Sequence, residues 1–171
     1  MNLRQYISRL EAAGELVRVA ARVDLRWEIA EITDRMSKSE GGGRALLFEN
    51  TGTEFPVLTN MMGSERRMSM ALGVDSLDSL TRRIDSLLHE AMSPKNTLMD
   101  KLRMLPLLHD MSKWFPRKLS SRGECQQTVM LGDDVDLGRL PALTSWGCDG
   151  GPFITLPMVH TVDPESGIPN M

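Results

Sequence analysis

The chain is poor in cysteine. Its 171 residues hold two, Cys125 and Cys148, with no CxxC pair. That excludes a disulfide-dense scaffold and the usual zinc patterns. Histidine is as scarce: His89, His109 and His160 share no metal-binding spacing such as HExxH. Each fits a surface or satisfied-core role better than a metal role. Aromatics are only 5%, with four phenylalanines and one tyrosine against thirteen methionines, so flexible side chains fill much of the core. No apolar run approaches a membrane span, and the start, "MNLRQYISRLEAAGEL", lacks the apolar centre of a signal peptide. Positive charge is not in excess. The net charge is −3, and the basic runs Arg66-Arg67, Arg82-Arg83 and Arg117-Lys118 are short, so they read as solvated surface and not as a nucleic-acid interface. A cytoplasmic protein with free thiols, no nucleic-acid partner and no integral membrane segment is the expectation.

What is present is an alternation of periods. Leu3, Tyr6, Ile7 and Leu10 recur at helical spacing, with Gly14 placed to cap. "ELVRVAARVD" alternates like a strand. Leu25, Ile29, Ile32 and Met36 share a helical face that "SEGGG" ends, and "EGGGR" reads as a flexible connection. It lacks the lysine-serine end of a phosphate loop. "RALLFEN" fits a buried strand, "TGTEF" a turn and "PVLTNMM" a neighbouring strand. Ser64 caps a short helix to about Leu72. Leu77, Leu80, Ile84, Leu87, Leu88 and Ala91 make the cleanest helical stripe, broken at Pro94. "LMDKLRML" continues helically until Pro106, with His109 just beyond. Helices and strands alternating in this way indicate an α/β layer structure.

The character changes near Trp114. "WFPRKLSSRGE" is irregular and polar, so we place domains at 1–115 and 116–171. "CQQTVML" reads as a strand, and "GDDVDLGRLPALTSWGCDGG" is rich in turns. Asp133, Asp134 and Asp136 lack the glutamate that closes a calcium loop, and fit a turn. "PFITLPMVHTV" alternates, with Ile154, Leu156, Met158, His160 and Val162 on one face. "DPESG" is then a turn that ought to hand the chain to another strand. The second domain is thus a β domain that has been started and not finished.

Two segments carry a resemblance. "RALLFENTGTEFPVLTNMMGSERRMSMALG" (44–73) resembles the N-terminal domain of UbiD-like decarboxylases, the family of 3-octaprenyl-4-hydroxybenzoate carboxy-lyase and ferulic acid decarboxylase. "DDVDLGRLPALTSWGCDGGPFITLPMVHTVDPESGIPN" (133–170) is similar to the segment that enters the family's flavin-binding domain. The individual words are common; their order and spacing are specific. The resemblance implies an α/β N-terminal domain followed by the first strands of a flavin-reductase-like split β-barrel, and covers only the first part of a typical member. It implies a carboxy-lyase acting on an aromatic or unsaturated carboxylic acid such as a polyprenyl-4-hydroxybenzoate, in ubiquinone biosynthesis. Its cofactors would be prenylated FMN and a divalent metal, Mn or Mg. Its partners would be a small-molecule carboxylic acid, a flavin prenyltransferase supplying the cofactor, and further copies in a homo-oligomer.

At residue level, Asn170 matches the family asparagine that helps hold the metal beside the cofactor phosphate. Without the resemblance, Asn170 reads equally as a turn asparagine after Pro169. The family's catalytic arginine and two glutamates would fall beyond Met171, so no catalytic residue is assigned within the chain. A truncated piece, inactive alone and binding no cofactor, is the expectation. The alternative is a stand-alone, non-catalytic association module.

Overall fold

A computed structural model describes the chain except residues 93–98, 100, 101, 103, 117–119, 124, 125, 156 and 171, and except the side chains of Ala91 and Leu107. The break expected at Pro94, most of "LMDKLRML", the Arg117-Lys118 pair, Cys125 and Leu156 lie outside the described residues. Two compact units are formed. One joins Met1–Leu77 with Leu137–Met171; the other is Asp78–Asp136.

The first unit is built on β2, Ala45–Asn50. Its first four residues are all buried, so both faces of the strand are covered, as a continuous apolar run requires. Alternation sorts them. Leu46 and Phe48 meet α2 (Glu28–Ser37) through Ile29, with Val23 completing the cluster. Ala45 points the other way and packs with Tyr6 and Leu10 of α1 (Leu3–Ala12). Burying a side chain the size of Phe48 contributes roughly 2–3 kcal/mol. β1 (Leu16–Arg22) runs parallel to β2, with Val17 opposite Leu46 and Val19 opposite Phe48. β3 (Val57–Thr59) runs antiparallel on the other side, with Leu47 opposite Leu58. The sheet order is therefore β1-β2-β3, and α2 is the crossover that a parallel β1–β2 pair needs.

Ends are set by local chemistry. Asn2 Oδ1 accepts from the Gln5 amide at 2.9 Å and the Gln5 side chain accepts from the Asn2 amide at 3.0 Å, a reciprocal cap on α1. Ser64 caps α3 (Glu65–Leu72) by accepting from the Arg67 amide.

"EGGGR" is not the flexible connection its composition suggests. Glu40–Gly42 form one 3-10 turn, and Gly42 and Gly43 are packed against backbone. A Cβ on Gly42, at φ +80°, would lie 1.9 Å from the Gly63 carbonyl oxygen; one on Gly43 would lie 2.1 Å from that of Met36. At Gly42 and Gly43 nothing larger fits. Their carbonyls receive a buried guanidinium. Arg67 Nη1 donates to Gly43 at 2.6 Å and to Glu15 Oε2 at 2.9 Å, and Nη2 donates to Gly42 at 3.0 Å. Arg67 is fully buried, which corrects its reading as solvated surface; its neighbour Arg66 is exposed. Asn60 Nδ2 donates to the same Gly42 carbonyl and to that of Arg44. Tyr6 Oη lies 2.9 Å from the Met61 and Arg67 carbonyls, and its single proton can serve one at a time. Burial, more than the surrounding charges, raises the Tyr6 pKa.

The second unit holds α4 (Leu77–Met92) from its second residue on, and α5 (Leu105–Ser112). Pro106 sits in the first turn of α5, where a missing N–H costs nothing, and so His109 lies inside α5. "CQQTVML" forms no strand among its described residues, 126–131, where the described pairings offer no neighbouring strand. "PFITLPMVHTV" pairs far less than its alternation implies. Phe153 makes an isolated bridge to Leu143, and among the described residues of this segment only Thr161–Val162 form a strand, β4. Pro152 and Pro157 have no amide to give a ladder.

Candidate functional site

The one site residue assigned from sequence, Asn170, lies on β5 (Pro169–Asn170), an exposed two-residue strand. β5 runs antiparallel to β4, so Asn170 faces Thr161 and Pro169 faces Val162. The chain thus does reach the strand that its last turn implies. Asp163 builds that turn. Its Oδ1 accepts from the amides of Glu165 at 2.7 Å and Ser166 at 3.2 Å, and its carbonyl from the amide of Gly167, which holds φ +68°. Those two amide bonds, with a smaller part from the Ser166 hydroxyl, hold the Asp163 carboxyl below the usual carboxylate range.

The remaining candidates are not gathered. His89 is in the last turn of α4, His109 on α5 and His160 just before β4. Asp133 and Asp134 lie in a 3-10 turn and Asp136 just after it, all exposed, as a turn role requires. Among the described residues no three His, Cys, Asp or Glu side chains come together to hold a metal ion. Cys148 is exposed and unpaired to any disulfide.

A groove that sequence reasoning missed lies beside β3. It is about 420 Å³, bounded by Ala30, Thr33, Asp34 and Ser37 of α2, by residues 58–61, and by Leu143, Ser145, Trp146 and Thr155. Its walls come from three segments far apart in the chain, so no single motif marks it. The Thr33 and Thr59 hydroxyls share a hydrogen bond of 2.8 Å, and Asp34 is engaged by Lys38 Nζ at 2.6 Å. A second hollow of about 250 Å³ shares Leu58, Thr59, Leu143 and Thr155. Such walls can hold an apolar group beside hydroxyls. The segment that closes them is tied to α2's approach: Thr144 donates to Leu25 and accepts from the Trp27 amide at 2.9 Å. Trp27 is held at φ +71°, an uncommon conformation for a large side chain, with the Arg26 guanidinium 4.5 Å from its ring.

An implied metal and flavin can be tested against these residues. Asn170 offers one neutral oxygen, where a hard cation takes about six ligands. Asn170 is chemically suited to be one ligand, but the described residues do not make a complete metal site.

Residues 7–87 match the family model of the 3-octaprenyl-4-hydroxybenzoate carboxy-lyase N-terminal domain, and residues 117–171 that of the Rift-related domain of the same carboxy-lyase. An uncharacterized protein of Aquifex aeolicus is 43% identical over 99% of this chain, and one of Archaeoglobus fulgidus 40% identical over 97%. The chain spans about a third of the length of these curated relatives, 34% and 33%. The UbiD-class enzyme HmfF of Pelotomaculum thermopropionicum, in an evolved dimeric form in complex with prFMN, is 26% identical. It superposes with a TM-score of 0.66 over 98% of this chain and 34% of its own. Closed-form vanillic acid decarboxylase of Sedimentibacter hydroxybenzoicus, at 24% identity, shares the fold over 96% of this chain and 31% of its own, with a TM-score of 0.66.

Proposed function

Because the chain belongs to the UbiD-like carboxy-lyase family and corresponds to its N-terminal portion, we propose that it is the N-terminal part of a prenylated-FMN-dependent, non-oxidative decarboxylase. The observation that carries this is the order of the two domain matches, N-terminal and then Rift-related, along one chain. HmfF, similar over nearly the whole chain, was found with prFMN and also with FMN. The substrate class is an aromatic or unsaturated carboxylic acid, and the enzyme works as a cytoplasmic homo-oligomer supplied by a flavin prenyltransferase. The domain division is at 115/116, with the second domain opening a split β-barrel.

When bound, such a cofactor acts as an electron sink for the carbon that loses carbon dioxide. Asn170 would lend one neutral oxygen to the metal beside the cofactor phosphate. The chain's own contribution is positional. The Asp163 turn fixes the hairpin, and the hairpin sets Asn170 at the end of β5. No described residue is assigned a proton-transfer role, and by itself the 171-residue chain is expected to be inactive.

The test is direct. Incubate the chain with prenylated FMN and manganese, and follow carbon dioxide release from cinnamic-type and hydroxybenzoic acids. No turnover is expected. In a polypeptide continuing through the family's arginine and glutamates, turnover should appear, and Asn170→Ala should lose cofactor, partly restored by excess metal. Turnover by the 171-residue chain would show that its own residues suffice. Unchanged flavin content in the longer Asn170→Ala variant would return Asn170 to a turn role.

A further inference from the structure

α2 presents two different faces. Ile29, Ile32 and Met36 take the one packed into the core. Ala30, Glu31 and Asp34, at helical spacing, take another. With Trp27 and Trp146 they line a hollow of about 200 Å³, which adjoins the groove beside β3 and shares Ala30, Asp34 and Trp146 with it. Two of the chain's three tryptophans thus line one hollow, and neither is packed into the core: Trp27 is 45% exposed and Trp146 67%. Their backbones are fixed. The Trp27 amide donates to the Thr144 carbonyl at 2.9 Å, and Asp149 Oδ2 accepts from the Trp146 amide at 2.8 Å and the Ser145 amide at 3.0 Å. Trp27 is kept at φ +71°, a conformation that costs free energy in a bulky residue and is found at ligand clamps. A strained, half-exposed indole adds little stability, so it calls for a role in binding.

The chemistry says what is bound. The face of an indole carries negative potential and attracts a cation. The Arg26 guanidinium, 4.5 Å from the Trp27 ring, shows this attraction, yet Arg26 does not line the hollow. Glu31 and Asp34 add two carboxylates. Each has a partner one turn on, Arg35 at 2.6 Å and Lys38 at 2.6 Å, and neither partner lines the hollow. Exposed pairs of that kind hold weakly, so both carboxylates remain available to a cation at the rings. A primary ammonium would need an acceptor for each of three N–H groups, and ring faces are poor acceptors. A quaternary ammonium has no N–H to satisfy, and aromatic faces beside negative charge suit it.

We propose that this hollow binds a quaternary ammonium group, held against the Trp27 and Trp146 indoles with Glu31 and Asp34 supplying negative charge. This stands independently of the carboxy-lyase reading. The ligand is a free choline-type cation. The two carboxylates repel the phosphate that a phosphocholine head brings with it, which sets the lipid form apart.

NMR titration of the 171-residue chain at constant chloride tests it, following the indole N–H signals of the three tryptophans. Trp114, in the second unit, is the internal control. Choline should move the Trp27 and Trp146 signals along one saturating curve, with a Kd of about 1–10 mM, and leave Trp114 still. Dimethylbutanol, its neutral isostere with carbon in place of nitrogen, should bind at least about tenfold more weakly, and phosphocholine should bind more weakly than choline. Trp146→Ala should weaken choline by about fivefold, read at Trp27, with Trp146→Phe recovering part of the loss. Glu31→Gln should weaken it by about threefold. Both side chains are exposed, so the fold should survive, and unchanged amide signals of Leu46 and Phe48 check that. Trp27 and Trp146 signals that stay still up to about 100 mM choline overturn the proposal. So does an isostere that binds as well as choline, which would make the hollow merely apolar, or a Trp114 signal that moves with the other two. Phosphocholine binding more tightly than choline, or Glu31→Gln leaving the affinity unchanged, overturns the role given to the carboxylates.

Discussion

Arg67 is the largest fully buried side chain described, and it is charged. It is held by Glu15, itself only 15% exposed, and by the Gly42 and Gly43 carbonyls; among the described residues Nε is left without a partner. Removing one member of a buried pair strands the other. Arg67→Ala should therefore destabilise by about 3–5 kcal/mol, read as a lowered urea midpoint at unchanged slope. Arg66→Ala, one position away on an exposed side chain, should change stability by less than about 1 kcal/mol. Gly42→Ala should cost on the order of 2 kcal/mol or more, because a Cβ there meets backbone and the residue sits at positive φ. A Gly42→Ala protein as stable as the parent would mean that this joint can open. None of this was legible in "ERRMS", where the two arginines look alike. Which of them turns inward depends on the register of α3 against the glycine turn, and that register is set by residues from Glu15 to Gly63.

The β4–β5 hairpin shows what a local element can and cannot do. Its turn was legible, because Asp, Pro and Gly at those positions have one economical conformation. Its pH response follows from Asp163. The folded carboxyl titrates below the unfolded value of about 3.9, because its ionised form accepts two amides. The turn's stabilisation is thus fully present above the unfolded pKa and is lost as pH falls through the lower folded value. A carboxyl NMR titration should show Asp163 titrating below an ordinary aspartate, with the Glu165 and Ser166 amide shifts moving along the same curve. Amide shifts that ignore pH between 2 and 5 would mean that the carboxylate is not their acceptor. The helices and strands up to α4 were legible for a similar reason: periodicity and stop signals agree, helped by side-chain caps at α1 and α3. The strands expected at 125–131 and 152–162 were not formed as read. Alternation measures which face a strand would bury; it does not supply a partner ladder, and the prolines remove donors.

At the scale of the whole molecule, protection from exchange should follow tertiary bonding and not distance along the chain. Sequence alone suggests lower protection for everything after about residue 119. The structure divides that segment. The Thr144 amide donates to Leu25, the Phe153 amide donates to Leu143, and Leu143 packs against the core beside Phe48. The four residues of β4 and β5 are exposed, and a two-residue pair is marginal in water. Backbone amides open at a free energy set by what must unfold with them. Three classes are therefore expected in hydrogen exchange by NMR. The amides of Leu46, Leu47 and Phe48 should be slowest, exchanging only on unfolding of the first unit. Thr144 and Phe153 should be intermediate, because the segment can lift from α2 without breaking the sheet. Thr161, Val162 and Asn170 should exchange within the first measurement. The groove beside β3 takes one wall from this intermediate segment, so a ligand seated there should slow Thr144 and Phe153 while leaving β4 and β5 fast. Uniform protection across residues 144–170 would show instead that the hairpin is packed as one body with the sheet, and the division of that segment drawn from its bonds would be wrong.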